Sequence, residues 1–519
     1  MLTHRGDDVD LLHGVEVPDP YRWLEDGDAI EVRDWVGGQN LRTRELLDAR
    51  SGRARWHERL VALMSLPVVQ AVEARRDLLV LLEREAGAQQ ASLVVRPVDP
   101  GGASRTLVDP GADVDDGAAA IDWYATSDDG ALVAFGVSEG GTENSELRVV
   151  RTADGSQLDE CIPNCRASSV AWEPDGSGFF YTRYPEGDQY HRTVRHHTLG
   201  DDPAGDPVVW AQHPTPETWP TVSISPDGQT LLVQSSVGWG RTDVQVFDRR
   251  SSTWRDVIAD TAAMSSFSFA DDETLVGTTT FGAPRGRVVR VDLAADGVTA
   301  AAWTELVAER DVVVGGVRPE ADGLVLSISS AGVDRLERRR ADGSDPVWVD
   351  GVGVSSVVQL SSDRSNDRTY ALVTGFDQPA AVWLVGSDEV ERVHPAAALG
   401  EVPDLTVSRV EYPSADGTEV GLFLIHRADL EPSPDTPTIL NGYGGFALTE
   451  SPIWSASIAG WCESGGLYAI AGLRGGFEHG DEWHRAGRRE NKQNVFDAFH
   501  AAADWLVETG RTSRRRLAI

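Results

Sequence analysis

Residues 225–252 contain two different turn signals within one short stretch. The first, in SPDGQTLLVQS (225–235), places Asp227-Gly228 just before an apolar run. The second, in VQVFDRRSS (244–252), closes the next apolar run at Asp248. Asp-Gly pairs tolerate a positive φ and therefore suit the tight connection of a β-hairpin. Two such turns so close together predict a meander of short antiparallel strands.

The turn at Asp248 recurs along the middle of the chain. Its equivalents follow apolar runs at Asp99, Asp154, Asp201, Asp296, Asp342 and Asp388, so the successive intervals are 55, 47, 47, 48, 46 and 46 residues. A second register of turns precedes them, as in EPDGSGFFYTR and SNDRTYALVTG. Two turns in each unit imply four strands, which is the size of a propeller blade. Seven units predict a seven-bladed β-propeller over residues 66–400.

One serine in this region lies in a hydrolase-like motif. Gly136-Val137-Ser138-Glu139-Gly140 matches the G-x-S-x-G pattern of a nucleophile elbow. A functional elbow needs a strand, a sharp turn and then a helix, whose N-terminus faces the serine. Here ALVAFGV and SELRVV predict a strand on both sides of the turn. We therefore interpret Ser138 as a blade residue and not as a nucleophile.

The two ends of the chain have different patterns from the blades. Residues 1–65 are predicted to be mainly helical, with a capping box at Asp28 and Glu31 and an apolar side that includes Val32. Residues 401–519 alternate between strand and helix patterns, and RRLAI at the end begins a further strand. Strand, loop, strand, helix, strand is the order of one half of an α/β sheet. In its helix NVFDAFHAAADWLVETG, we expect Phe496 and Leu506 on the buried side.

Three further motifs admit a functional and a structural interpretation. GYGGFA (442–447) matches a dinucleotide fingerprint, but no acidic ribose partner ends the next strand and no clear helix follows the glycines. FEHGDEWH (477–484) has histidines five residues apart, a poor fit to one helix face, so we expect a hydrogen-bonded loop and not a metal site. His196-His197 lies near a blade turn and is expected to be solvated, and the cysteines of CIPNC (161–165) lack a partner pair for zinc.

Composition limits the classes of partner. The chain has 519 residues and a formal net charge of −35, which repels nucleic acid and anionic membranes, so neither is an expected partner. Three cysteines exclude a disulfide framework, and neither a signal-like apolar segment nor a long apolar run is present. We expect a cytoplasmic protein.

The two ends also carry motifs of a known family. DPYRWLED near the start and then YPSADGTEVGLFLIH, NGYGGF, LRGGFEHGDEWHRAG and NKQNVFDAFHAAADWL occur in order. In these motifs the chain resembles the prolyl oligopeptidase family of serine peptidases. The resemblance implies a seven-bladed propeller inserted between an N-terminal helical segment (1–65) and an α/β-hydrolase domain (401–519), of which these residues supply the N-terminal half of the sheet.

The resemblance also implies an activity. The family hydrolyses short peptides after proline by Ser-His-Asp acyl transfer and uses no metal or organic cofactor, so we expect short proline-containing peptides as substrates and a monomeric protein. Tyr443 of NGYGGF matches the family's oxyanion-hole tyrosine, and Phe446 matches an aromatic residue near its proline pocket. Asn441 and Phe477 depart from the family pattern.

In α/β-hydrolases the triad follows the order serine, aspartate, histidine after the strand that RRLAI begins. The resemblance therefore places all three residues beyond Ile519, and we expect these 519 residues alone to be inactive. The alternative is a non-catalytic propeller that binds peptides. Against it, half a hydrolase sheet exposes an unpaired central strand. A nucleotide-dependent enzyme is a third hypothesis, which rests only on the glycine pattern.

Overall fold

The computed structural model describes residues 3–99, 102–112, 119–295, 297–363, 368–395 and 402–519. The chain divides into two compact units, Met1–Ala62 and Leu63–Ile519. Within the described residues, no helix is long and apolar enough to cross a bilayer.

The first unit contains a β-hairpin and two helices. They are β1 (Val9–Leu12), β2 (Val15–Pro18), α1 (Ile30–Asp48) and α2 (Arg53–Met64), of which α2 runs just past the end of the unit. The expected capping box is wrong: Ala29 is the N-cap residue of α1 and no side chain caps the helix. Asp28 lies one residue outside and instead accepts a hydrogen bond from Arg33 at 2.9 Å.

The second unit begins with seven successive antiparallel sheets, the blades of a propeller. Among the described residues, six blades have four strands and the second has three. The first three blades are β3–β6 (Val68–Arg75, Leu78–Arg84, Ser92–Pro97, Arg105–Val108), β7–β9 (Ala119–Thr126, Leu132–Glu139, Glu146–Arg151) and β10–β13 (Val170–Trp172, Gly178–Arg183, Thr193–Thr198, Val208–Trp210). The fourth and fifth are β14–β17 (Trp219–Ile224, Thr230–Ser236, Thr242–Asp248, Thr253–Ile258) and β18–β21 (Ser265–Phe269, Thr274–Thr279, Arg287–Asp292, Thr304–Val307). The last two are β22–β25 (Val313–Pro319, Gly323–Ser330, Val333–Arg340, Val347–Val349) and β26–β29 (Ser356–Asp363, Arg368–Gly375, Gln378–Val385, Val390–His394).

The predicted repeat matches this arrangement. The recurring aspartates end or follow the third strand of each blade, as Asp248 does at the end of β16. Asp296 and the turn Asn366-Asp367 lie outside the described residues. The second blade departs from the expected four strands, because two isolated bridges, Leu147 to Ile162 and Val150 to Gln157, replace a fourth strand along β9.

Neighbouring blades pack through hydrophobic clusters. Each cluster draws its buried side chains from two consecutive blades, and one of them joins the seventh blade to the first through residues that include Val72, Leu81, Tyr370 and Leu372. A blade is therefore covered on both faces, which explains why its central strands are apolar almost throughout. The clusters close the blades into a ring.

Side chains add hydrogen bonds across the same seams. Gln359 of β26 accepts from the Val72 N–H at 3.1 Å and donates to the Val72 carbonyl at 2.8 Å. Gln234 of β15 makes the same pair with Phe267 of the fifth blade, at 2.7 and 3.0 Å. A side-chain amide thus substitutes for the strand pairing that would satisfy these backbone groups.

The hydrolase part forms one mixed sheet covered on both faces. Its strands are β30 (Leu405–Pro413), β31 (Glu419–Arg427), β32 (Thr438–Asn441), β33 (Leu467–Ala471) and β34 (Leu517–Ala518), in the order β30-β31-β33-β32-β34. Its helices are α3 (Ala456–Glu463), α4 (Asp481–Arg485) and α5 (Gln493–Glu508). The predicted last strand is present as β34, which pairs parallel to β32. Successive residues of β31 face opposite sides, Leu422 and Leu424 towards the α5 cluster and Phe423 and Ile425 towards α3.

One expectation for α5 is wrong. Its buried residues are Val495, Ala498, Ala502 and Leu506, whereas Phe496 is half exposed. The buried stripe of α5 therefore passes through Val495 and not through the next residue, Phe496. The seven-bladed propeller and the partial hydrolase domain are present as predicted, while the domain limits at residues 65/66 and 400/401 stay predictions.

We predict that Gln359→Leu weakens the seam between the first and seventh blades more than Gln234→Leu weakens the seam between the fourth and fifth. Each change leaves two backbone groups without partners and should lower the free energy of unfolding by about 1–3 kcal/mol. Only the fourth and fifth blades are also tied by a direct chain connection. Hydrogen exchange in β3 and β26 should therefore rise more in Gln359→Leu than exchange in β15 and β18 rises in Gln234→Leu. Equal increases would contradict the prediction.

Candidate active site

Ser138 lies in the middle of a sheet. It belongs to β8, its Cα pairs with that of Ala120 in β7, and strand β9 follows the turn. Its side chain is buried and its Oγ has no hydrogen-bond partner. A strand, and not a helix, follows the turn after Ser138, so the interpretation of Ser138 as a blade residue is confirmed.

The loop after β32 presents two aromatic side chains. Tyr443 is 53% exposed and Phe446 is 48% exposed, and their ring centroids are 6.1 Å apart. Phe446 and Ala447 both have a left-handed backbone, with φ of 54° and 55°. Non-glycine residues adopt this conformation at a cost, and such strain concentrates at functional sites.

Three backbone segments cross beneath this loop. Gly444 has φ +60°, and a Cβ there would lie 2.4 Å from Cγ1 of Val495. Gly475, after β33, would place a Cβ 2.6 Å from the Gly444 carbonyl oxygen, and Gly487, after α4, would place one 2.3 Å from the Gly475 nitrogen. Only glycine permits these approaches. The motifs NGYGGF, LRGG and HRAG are therefore parts of one packed crossing.

Side chains fix the loop at this crossing. The Gly475 carbonyl accepts from the Ala447 N–H at 3.0 Å. Nδ1 of His484 lies 2.8 Å from the Gly475 carbonyl oxygen and 3.1 Å from the Ala447 nitrogen. Lys492 Nζ donates to the Gly444 carbonyl at 2.6 Å. His484 is thus a buried residue of helix α4 that contacts the backbone of the loop.

A buried arginine connects the crossing to the β30–β31 hairpin. Arg474 donates to Asp416 at 2.5 Å, to Oγ of Ser414 at 2.9 Å and to the Asn494 carbonyl at 3.3 Å. The bond from the Arg474 guanidinium lowers the pKa of Asp416 to about 2. Asp416-Gly417, predicted as a simple hairpin turn, therefore also holds the end of β33 in place.

The propeller supplies the opposite wall of the site. Trp239, in the loop after β15, is 59% exposed, and its ring centroid is 4.6 Å from that of Phe446. The propeller and the hydrolase part also meet where the Asp481 N–H donates to the Pro284 carbonyl at 2.8 Å and where Thr374 Oγ1 accepts from the Trp454 N–H at 3.1 Å. An aromatic side chain of the propeller, Trp239, thus packs against Phe446, whose other neighbour is Tyr443.

The other motifs have structural explanations. His197 is buried and bonded to Asp206 at 3.0 Å, so the expectation that it is solvated is wrong. Cys161 is exposed and Cys165 is buried, and no cluster of three or more His, Cys, Asp or Glu side chains suited to a metal occurs in the described part of the chain. After the glycines of 442–447 the next helix, α3, begins only at Ala456.

Comparison with known families agrees with this architecture. Residues 2–392 match the profile of the prolyl oligopeptidase N-terminal beta-propeller domain, and residues 453–519 match that of the prolyl oligopeptidase family. The chain belongs to the prolyl oligopeptidase family.

Individual members of the prolyl oligopeptidase family are similar over the whole chain. The prolyl endopeptidase of Elizabethkingia meningoseptica is 25% identical, and the alignment covers 100% of this chain and 74% of that protein. The dual function macrocyclase-peptidase of Amanita bisporigera is 26% identical, with 100% and 77% covered. A solved structure from a study of two prolyl endopeptidases has a TM-score of 0.91 at 32% identity and covers 100% of this chain and 78% of that one.

We predict that Gly444→Ala destabilises the hydrolase part, while the neighbouring Gly445→Ala does not. A Cβ at Gly444 meets Val495 on a left-handed backbone, whereas one at Gly445 has no heavy atom nearer than 3.8 Å. The first change should lower the free energy of unfolding by about 2–4 kcal/mol, and the second should change it by less than about 0.5 kcal/mol. Urea denaturation of both variants measures this difference. A similar loss in both would show that the crossing is not tight.

Proposed function

We propose that this protein is a serine endopeptidase that cleaves short peptides after proline by Ser-His-Asp acyl transfer. The observation that carries the proposal is the strained loop that presents Tyr443 and Phe446 opposite Trp239. Membership of the prolyl oligopeptidase family supports it, as do the prolyl endopeptidase activities for which its relatives are named. The macrocyclase-peptidases among those relatives share the same family.

In this proposal Tyr443 donates its phenolic O–H to the oxyanion of the tetrahedral intermediate. The loop that carries it is fixed by the glycine crossing and by Lys492, so the hydroxyl is held in position before substrate binds. Preorganised donors of this kind contribute about 3–4 kcal/mol of transition-state stabilisation. A tyrosine that is 53% exposed can reach a substrate without a change in its backbone.

Phe446 supplies an apolar face for the proline ring of the substrate. Its contact with Trp239 makes the pocket a joint product of the two parts of the chain, so the propeller both covers the site and shapes it. In this proposal the propeller limits access to Tyr443 and Phe446, so that short peptides enter and folded proteins do not. A solved relative, prolyl oligopeptidase B from Galerina marginata, is bound to a 35mer hydrolysis and macrocyclization substrate.

We do not assign the serine of the triad to Ser138, which lies in a propeller strand. The 519 residues supply the oxyanion tyrosine, the proline pocket and the propeller cover. We further propose that the protein is a cytoplasmic monomer without nucleic acid or membrane partners, in keeping with its net charge of −35.

The proposal is tested first by reading the genomic DNA downstream of codon 519. An in-frame G-x-S-x-G followed by aspartate and histidine supports the peptidase, and an immediate stop codon favours a propeller that only binds peptides. The 519-residue chain by itself should not hydrolyse a Gly-Pro reporter. Hydrolysis that is abolished by Ser138→Ala would overturn the assignment of the triad.

In a product that contains the triad, we predict that Tyr443→Phe lowers kcat about 10²–10³-fold with little change in KM, since the lost donor acts on the transition state. Tyr190→Phe, which changes an exposed tyrosine of the third blade, serves as the control for the loss of a hydroxyl. Steady-state kinetics with a Gly-Pro reporter measure both. An unchanged kcat in Tyr443→Phe would remove Tyr443 from the oxyanion hole.

A further inference from the structure

Two carboxyl groups lie behind the loop of Tyr443. The Glu450 N–H donates to Oε1 of Glu478 at 2.9 Å. This bond fixes the end of the strained loop that begins at Tyr443 to a buried acidic side chain.

Glu478 is enclosed on every side. Its side chain belongs to a residue that is 4% exposed, and its Oε2 has no hydrogen-bond partner. A Cβ on Gly476 would lie 2.3 Å from that oxygen, and one on Gly472 would lie 3.2 Å from Cγ. The adjoining cavity has a volume of about 10 Å³. Phe423 of β31 and Ala331 of the propeller help to line it. This volume is no more than a single water molecule requires.

The surrounding charged and titratable groups do not neutralise the pair. Arg409 of β30 reaches the same cavity, but its guanidinium donates to Glu411 at 3.1 Å. Tyr468 of β33 has a raised pKa because it is buried and faces Glu450. In the described residues no arginine, lysine or histidine forms an ion pair with Glu450 or Glu478.

His479 is the remaining group beside the cavity. Burial lowers its pKa, Arg409 and Arg285 lower it further, and Glu411 and Asp311 act in the opposite direction. The imidazole is therefore neutral when Glu478 titrates. Trp483 of α4 adds no charge on this side, because its only polar group is an indole N–H donor.

An ionised Glu478 would be a desolvated charge next to a second carboxylate. Burial is the main reason that the pKa of Glu478 rises to about 7, and the charge of Glu450 raises it further. Burial also raises the pKa of Glu450. A protonated Glu478 still accepts from the Glu450 N–H through its carbonyl oxygen, so protonation keeps this hydrogen bond intact.

We propose that Glu478 is buried as the neutral acid, and that its ionisation opens the loop of residues 442–450. Glu478 is enclosed, its Oε2 has no hydrogen-bond partner, and no basic group of the described residues forms an ion pair with it, so an ionised carboxylate reaches water only when the loop bonded to it through the Glu450 N–H moves away. Glu478 is thus a positioning residue for this loop. Its consequence for catalysis rests on the proposed role of Tyr443, but its effect on the loop does not.

The direction of the pH dependence follows from the sign of the shift. Folding raises the pKa of Glu478 from the ordinary value of 4.5 to about 7. The protonated group therefore stabilises the folded chain fully below about 4.5, and this contribution is lost as the pH rises through 7. The loop should be most ordered in mildly acidic solution.

The test is hydrogen exchange of the 519-residue chain between pH 5.5 and 8.5, corrected for the intrinsic exchange rate. In the wild type, protection of peptides from residues 442–450 should fall by up to about tenfold for each pH unit between 5.5 and 7, and it should level off above 7, where Glu478 is ionised in the closed and in the open loop. Glu478→Gln, which cannot ionise, should keep protection constant over this range. Glu482→Gln, an exposed acid four residues later, should behave as the wild type.

If Glu478→Gln does not fold, Glu450→Gln tests the same group: without the charge of Glu450 the pKa of Glu478 is lower, so the fall in protection should level off at a lower pH than in the wild type. Constant protection in the wild type, an equal fall in the wild type and Glu478→Gln, or an unchanged pH profile in Glu450→Gln would overturn the proposal. The readout requires no catalysis, so failure of the proposed peptidase activity would leave this result unaffected.

Discussion

The packing of each blade on its two neighbours is the constraint on which the remaining structure depends. A four-stranded sheet has two faces, and in this ring both are buried in hydrophobic clusters. The seam between the seventh and first blades is held by the same means, with Val72 and Tyr370 in one cluster. No direct chain connection reinforces that seam, and its polar contacts come from side chains: Gln359 bonds to the Val72 backbone, Ser361 accepts from the Ala74 N–H, and His394 bonds to Glu83. The positions of all blade loops, including that of Trp239, follow from the ring.

The propeller could be predicted because its signal is local and repeated. Asp-Gly turns determine hairpins at short range, and the nearly constant interval between Asp154 and Asp248 reports one blade after another. Features that depend on a single place in the ring could not be predicted. The second blade lacks a fourth strand, and nothing in its turn residues indicates this. His197 reads as a surface residue, yet it is buried against Asp206, since burial depends on the neighbouring strand and not on the sequence around the dyad.

The hydrolase part shows the same limit. Tyr443 and Phe446 could be placed after a strand, and the glycines around them indicated a tight loop. Trp239 is 207 positions before Phe446 in the chain. Only the assembled propeller brings these two aromatic side chains together. The motif FEHGDEWH contains Glu478, but the isolation of this side chain from water depends on glycines at 472 and 476 and on Phe423 of another strand. The pattern of apolar residues in α5 fits a buried stripe through Phe496 as well as one that begins one residue earlier, so the sequence predicted the wrong one.

Lys492 gives the glycine crossing an additional property. It is the only lysine among the 47 basic residues of the chain, and its ammonium group is bonded to the Gly444 carbonyl beneath Tyr443. A reagent that acylates primary amines therefore has one side-chain target within these 519 residues. The rate at which that amine reacts records how often the contact opens, so the molecule contains a single-site chemical probe of its own oxyanion loop.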